Sequence, residues 1–391
     1  MATDFTVDRD TVKYVLNSSG DIASVAIDTP AIEYNTDGTY KGLLVEPAST
    51  NICLRSEDLS TTWSASGDTT ITANDTTAPD GNATADKLGD DGATGTGYVY
   101  VDQTITVVAG TKYTASAFLK ADGLAFAGLE AFDYDGATDG YQYFNLSTGA
   151  KGTAVNLDDS NIEAYPDGWY RCSITWTQGA SDTSVTFRIL CASSISSFNV
   201  DLDGTSSIFV WGAQVEASPI ATSYIPTTTA SVTRNKDDIS LTGASDLIGQ
   251  SEGTLYVEVD WRGTDGASQF LLSINNDSSN NRLAIFNAAN IELRMFARSN
   301  SVTVTEQGES VTGYSGIQKI AFAYKTDDFE LYRNGTSVST DTAGSLAALA
   351  TLTNIDLGQN NSAGNQANMH IRAVALYKTR LTDDQLADLT S

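Results

Sequence analysis

One histidine, His370, must serve any reaction in this chain that calls for an imidazole. Cysteines number three and prolines six across 391 residues. Three thiols in so long a chain make no disulfide framework, so packing has to hold the fold. Cys172 and Cys191 occupy inward positions of strand-like alternations, where a thiol behaves as a small hydrophobe. Basic residues are scarce too: 22 Lys and Arg stand against 49 Asp and Glu, for a net charge of −27. That field repels phosphate backbones and anionic lipid, which disfavours nucleic acid and membrane surfaces as partners. Residues 1–20 carry no apolar core of a leader and no run of 18 apolar residues occurs, so a chain made in the cytoplasm without a Sec-type export signal is expected.

What remains is short apolar runs separated by Thr, Ser, Asn, Asp and Gly, with only 18% of residues charged. This is the texture of an all-β protein rich in turns. The length exceeds what one hydrophobic core usually serves, so two domains are expected. Residues 1–42 hold two β-prone pieces, Thr11 to Leu16 and Ile22 to Ile27, around the turn Asn17-Ser18-Ser19-Gly20. So small a unit cannot bury its own core. It must pack on the next domain, a sister chain or a larger assembly, and reads either as an N-terminal arm that offers an assembly contact or as a segment lying across the first sandwich.

Residues 43–218 read as a jelly-roll β-sandwich of the carbohydrate-binding-module kind. Tyr113, Ala115, Ala117 and Leu119 share a strand face, as do Tyr170, Cys172, Ile174 and Trp176, and Val185, Phe187, Ile189 and Cys191. Phe209, Trp211, Ala213 and Val215 alternate onto one face of a strand that must end by Ser218, ahead of Pro219 and Pro226. Residues 219–250 read as a linker. Residues 251–391 form a second sandwich: Leu255, Val257, Val259 and Trp261 point inward, as do Ile291, Leu293, Met295 and Ala297. Asn334-Gly335 marks a hairpin, and Thr382 with Gln385 forms a capping box for a short C-terminal helix.

Two resemblances arise at these residues. The run from EGTLYVEVDW (Glu252 to Trp261) through KIAFAYKTDDFELYRNG (Lys319 to Gly335) to HIRAVALYKTRLTDDQLADL (His370 to Leu389) resembles the concanavalin A-like lectin/laminin-G superfamily. It implies the fold and leaves the activity open, since lectins, adhesins, glycosidases and spacers share it. Residues 5–235 carry GLLVEPASTN, RSEDLSTTW, TADKL, GWYR and VWGAQVE…TSYIPTTTASVTR, an order similar to a module of tailed-bacteriophage head spike or head fibre proteins. Family members more often place Asn-Leu after the first motif, where this chain has Asn51-Ile52. The resemblance implies an oligomeric virion component released by host lysis.

A glycosidase on such a sheet needs Glu-x-Asp-x-x-Glu, so that a nucleophile and an acid face one sugar. Glu258 and Asp260 start that pattern, but Gly263 stands where the acid belongs. His370 lies between apolar neighbours, the usual setting of a packed histidine rather than a base. A Gly-x-Ser-x-Gly elbow, a phosphate loop and a Cys/His pair of catalytic spacing are all missing, so enzyme activity is not expected. Structural calcium has candidate ligands in Asp133, Asp135 and Asp139, and in Asp356 with Asn360 and Asn361. Sugar stacking has candidates in Trp63, Trp169 and Phe296, the last flanked by Arg294 and Arg298.

The reading that follows is a non-enzymatic phage virion protein: a capsid-attached fibre or decoration with a lectin-like outer domain. The arm would meet other virion proteins, and the chain would form a homotrimer that attaches to cell-surface glycan. The alternatives are a tail-associated receptor-binding protein or polysaccharide depolymerase, and a bacterial surface adhesin.

Overall fold

The computed structural model describes residues 5–262, 267–289, 292–310, 316–361 and 365–391. Gly263 and Ile291 lie outside them. Strand alternation builds two β-sandwiches. In the first, one six-stranded sheet runs in the order Ala150–Val155, Thr138–Asn145, Phe126–Asp135, Ser184–Ala192, Tyr100–Thr106, Ser64–Ala65. Its partner runs Asp159–Ala164, Trp169–Thr177, Lys112–Ala121, Ser207–Glu216, Ala85–Asp90, Thr69–Thr76. The inward sets Ala115, Ala117 and Leu119, Cys172, Ile174 and Trp176, and Val185, Phe187, Ile189 and Cys191 meet between the sheets.

The second sandwich has two seven-stranded sheets. One contains Asp328–Arg333, Gly316–Lys325, Glu252–Trp261 and Met369–Tyr377 as adjacent strands; the other contains Asn354–Leu357, Gln269–Asn275, Arg282–Ala288 and Glu292–Ser299. Leu255, Val257, Val259, Leu293, Met295 and Ala297 fill the space between them. The helix Asp383–Thr390 closes the chain behind the expected capping box, with Leu386 packed on Tyr256 and Tyr332. Among the described residues no helix is long and apolar enough to cross a membrane.

The N-terminal residues pack on the second sandwich of their own chain. Thr6–Asp8 is the edge strand of one sheet of the second sandwich, beside Asp238–Leu241. Ile32–Tyr34 and Tyr40–Val45 extend the other sheet past Met369–Tyr377. Leu43 and Val45 enter that core, because a strand of apolar residues is buried most fully by adding to a sheet. Gly42 has φ +152° and a Cβ there would stand 2.8 Å from that of His370, so glycine permits this approach. Residues 219–250 are not a loose tether. Val232–Arg234 pairs with Ser49–Asn51, and Asp238–Leu241 lies inside a sheet.

Where these segments converge, charges are sealed from solvent. Asp237 receives Arg9 at 2.7 Å and Lys13 at 2.6 Å, while Glu46 receives Lys13 at 3.0 Å and Arg234 at 3.3 Å. Burial alone would raise the Glu46 carboxyl; the Arg234, Lys13 and Arg262 charges hold it well below its ordinary value.

One local expectation fails for an identifiable reason. Trp211 and Ala213 do not share a face. The register slips between Ser116 and Phe118, and Gly212, at φ +64°, is the extra residue of a β-bulge. Ala213 and Val215 therefore face the core with Ile208 and Val210, while Phe209 and Trp211 face outward against Phe118 and Tyr224. The Asp-rich stretch Asp133 to Gly140 is mostly strand, with a tight turn at Gly136 and Ala137.

Candidate functional site

Residues that alternate outward on the strand Trp169–Thr177 are Arg171, Ser173 and Thr175, because Cys172, Ile174 and Trp176 take the core. Their ladder partners on one side are Glu163, Asn161 and Asp159. These outward residues would be exposed on an isolated sandwich, yet Arg171, Ser173 and Thr175 are buried. They form the floor of a cleft of about 600 Å³ whose other walls are Pro219 to Ala221, Asp260 to Arg262, His370 and Lys41. The cleft thus lies between the sandwiches, where the end of the strand Glu252–Trp261 meets the jelly-roll sheet.

Hydrogen bonds fix the floor. Arg171 Nη1 donates to the Thr222 carbonyl at 2.7 Å and Nη2 to Ser116 Oγ at 3.2 Å. The hydroxyls of Thr114 and Thr175 are 2.8 Å apart. The opposite wall is ionic. Lys41 Nζ lies 3.2 Å from Glu163 and 3.8 Å from Glu33, and Arg262 Nη1 lies 3.5 Å from Glu46. His370 Nε2 is hydrogen-bonded to Glu33. Burial would raise the Glu33 carboxyl, but the His370 hydrogen bond and the Lys41 charge outweigh it and hold the group at about 2. Burial likewise lowers the His370 pKa, against the pull of Glu33. Hydroxyl, amide and charged groups therefore converge beside one half-buried indole, Trp261. Such a lining suits a polyhydroxylated ring: polar groups fix orientation and the aromatic face takes the C–H surface.

Of the two carboxylates that start the glycosidase pattern, Asp260 lines the cleft and Glu258 does not. Glu258 is held by Arg372 Nε at 2.8 Å and by the Tyr256 hydroxyl at 3.4 Å. His370 is wholly buried with one nitrogen committed to Glu33.

The expected stacking residues lie elsewhere. Trp63 packs on Phe187 in the jelly-roll core and its indole N–H donates to the Arg55 carbonyl. Trp169 clusters with Phe118, Trp211 and Tyr224 and donates to the Thr77 carbonyl. Neither offers a free face, because apolar rings near a polar loop are more stable turned inward. Phe296 does project from the outer side of its sheet, but Phe286 and two guanidinium groups cover it. Arg294 is spent on Glu292 and Glu306, whereas Arg298 carries no ion pair among the described residues. The proposed calcium ligands are not gathered: Asp139 caps the Asp133 N–H at 3.1 Å. Asp356 bonds Asn275 and Asn360 bonds Asn365. Among the described residues the one trio of close carboxylates is Asp8, Asp10 and Asp28, all exposed. Sequence alternation marks Arg171, Ser173 and Thr175 as outward, but nothing local in it says what roofs them. Trp261 reads as an inward residue and is one, at the lip of its core.

Residues 233–387 match the Concanavalin A-like lectin/glucanases superfamily. The matched span includes the Trp261 wall of the cleft and leaves out its floor. A search of curated proteins found no match. Among solved structures the chain is similar to the Ruminococcus gnavus IT-sialidase CBM40, at 17% identity and TM-score 0.33, covering 38% of this chain and 87% of that one. A leech intramolecular trans-sialidase gives 17% identity and TM-score 0.31, with 36% and 23% covered. The binding domain of botulinum neurotoxin DC in complex with rat synaptotagmin II gives 14% identity and TM-score 0.33, with 40% of each chain covered. Resemblance at this level carries no argument about ligand or activity.

Proposed function

We propose that this protein binds glycan without cleaving it and serves attachment to a surface. The observation that carries the reading is the cleft, in which Trp261 of a lectin-like sandwich stands beside the hydroxyl and amide groups of Asn161, Ser173 and Thr175. Within this reading, the ordered motifs from GLLVEPASTN to SYIPTTTASVTR favour a component of a tailed-phage particle, a head-attached fibre or decoration built as a homotrimer. The C-terminal sandwich would then face the glycan.

The test is titration of wild type and Trp261→Ala against oligosaccharides that the intact chain retains. The expected result is affinity about tenfold weaker in the variant, equivalent to ~1.4 kcal/mol, with no new reducing ends formed. Equal affinity would remove the cleft from the account, and released product would favour a depolymerase acting through Glu258 and Asp260. Imaging of purified particles tests the virion reading separately, by position and symmetry.

A further inference from the structure

On the outer face of the second sandwich, Arg282 and Arg298 are directly opposite each other in adjacent strands. Cross-strand like charges repel at that spacing, and an arginine pair is tolerated only where something offsets it. Among the described residues neither is joined to a carboxylate by an ion pair, and the acid whose charge reaches Arg282 is Asp356. Neither guanidinium makes a hydrogen bond or an ion pair among the described residues, and only their Nε atoms are sealed from solvent. Every other arginine of the chain has such a partner. Asp356 is itself engaged by Asn275, and burial pushes its carboxyl up to about 6.

Aromatic rings hold the pair in place. The Arg282 guanidinium carbon lies 4.7 Å from the Phe270 ring centre and 5.1 Å from that of Phe296, and Arg298 lies 5.6 Å from Phe296. Phe270 stacks on Phe286 at 4.9 Å, and Phe286 meets Phe296 edge-on at 6.0 Å. Planar guanidinium groups stacked on rings keep their terminal N–H donors in a fixed plane, the arrangement that recognises a flat or tetrahedral oxyanion. In a chain of net charge −27, two adjacent cations outside any ion pair among the described residues mark a place where an incoming anion is favoured.

We propose that Arg282 and Arg298 form an anion site that takes the acidic group of a charged sugar, carboxylate or sulfate. This rests on the glycan-binding reading but shares no residue with the cleft, so the two fail separately. The experiment uses the full chain and its Arg282→Gln/Arg298→Gln variant. The probes are an oligouronate, the same oligosaccharide with its carboxylates reduced to alcohols, and a sulfated dextran oligosaccharide. Wild type should bind the oligouronate at least tenfold more tightly than its reduced form, with affinity falling as salt rises. The variant should lose that preference and unfold at the same or a higher temperature than wild type, since repulsion has been removed. Preference for the sulfated chain alone would assign the site to sulfate rather than carboxylate, and supports it equally. Equal binding of acidic and reduced chains by wild type, or an acidic preference kept by the variant, overturns the inference. If no chain of any kind is bound, the glycan-binding reading falls with it.

Discussion

Lys13 and Asp237, 224 positions apart, are joined by a 2.6 Å ion pair from which solvent is excluded. Asp237 also accepts from Arg9 and from the Glu46 backbone N–H at 2.9 Å. A single carboxylate thus ties the N-terminal segment, the strand that ends at Val45 and the crossing between the sandwiches.

Replacing that carboxylate leaves two buried cations without their shared partner. Asp237→Asn is expected to lower stability by about 3–5 kcal/mol, the range for breaking one half of a buried pair. Urea unfolding followed by tryptophan fluorescence reads this directly. A loss below about 1 kcal/mol would mean that water reaches the network.

The second sandwich draws three strands from the N-terminal 45 residues, and Leu43 and Val45 lie in its core beside Met369 and Ile371. A fragment of residues 233–391, although it spans the lectin-like match, is expected to remain partly unfolded. Adding a segment of residues 1–51 should restore cooperative melting and near-ultraviolet dichroism. A fragment that melts cooperatively alone would show that these edge strands are dispensable.

Acid should weaken the fold in two stages. Burial sets the His370 pKa below its ordinary 6.5, so the unfolded chain takes up that proton first and stability falls once the pH drops below 6.5. Glu33, at about 2 against an ordinary 4.5, contributes stability that is intact above 4.5 and is lost as pH falls from there toward 2. Calorimetry from pH 7 to 3 should show both stages. Glu33→Gln should flatten the lower one.

Asp356 has the opposite sign. Its carboxyl is raised from 3.8 to about 6, chiefly by burial, so ionising it at neutral pH works against the folded state. Asp356→Asn is expected to raise stability by about 1–3 kcal/mol at pH 7, with the gain vanishing below pH 4. Asn275 can still donate to the new side chain, and Ser273 Oγ, on the residue directly opposite, has no hydrogen-bond partner among the described residues. Melting temperatures at pH 7 and pH 4 give the comparison.

Much of this architecture could be read from alternation. The inward alternations of Lys112–Ala121, Trp169–Thr177 and Ser184–Ala192 meet in the core as expected, because period-two burial leaves a direct trace in residue order. Gly212 concealed a bulge, since an inserted residue flips every later side chain without altering composition. Which sheets the N-terminal strands join is not legible, because so short an edge strand has little periodicity to display and the partners of Thr6–Asp8 and Tyr40–Val45 lie hundreds of positions away. The site was harder still. Trp63 and Trp169 look like platforms from their polar surroundings, yet both are core residues. Arg298 was visible, but its opposite number Arg282 emerges only when the strands are laid side by side. The floor of the cleft is likewise a product of two sandwiches meeting, which no single strand encodes.

The most direct test incubates the intact chain with a panel of surface polysaccharides, measuring both retention and the length of the sugar chains afterwards. Reversible retention of a restricted set, with chain length unchanged, is the result expected of a binding protein. Absence of retention across the panel, or retention accompanied by shortened chains, would contradict it.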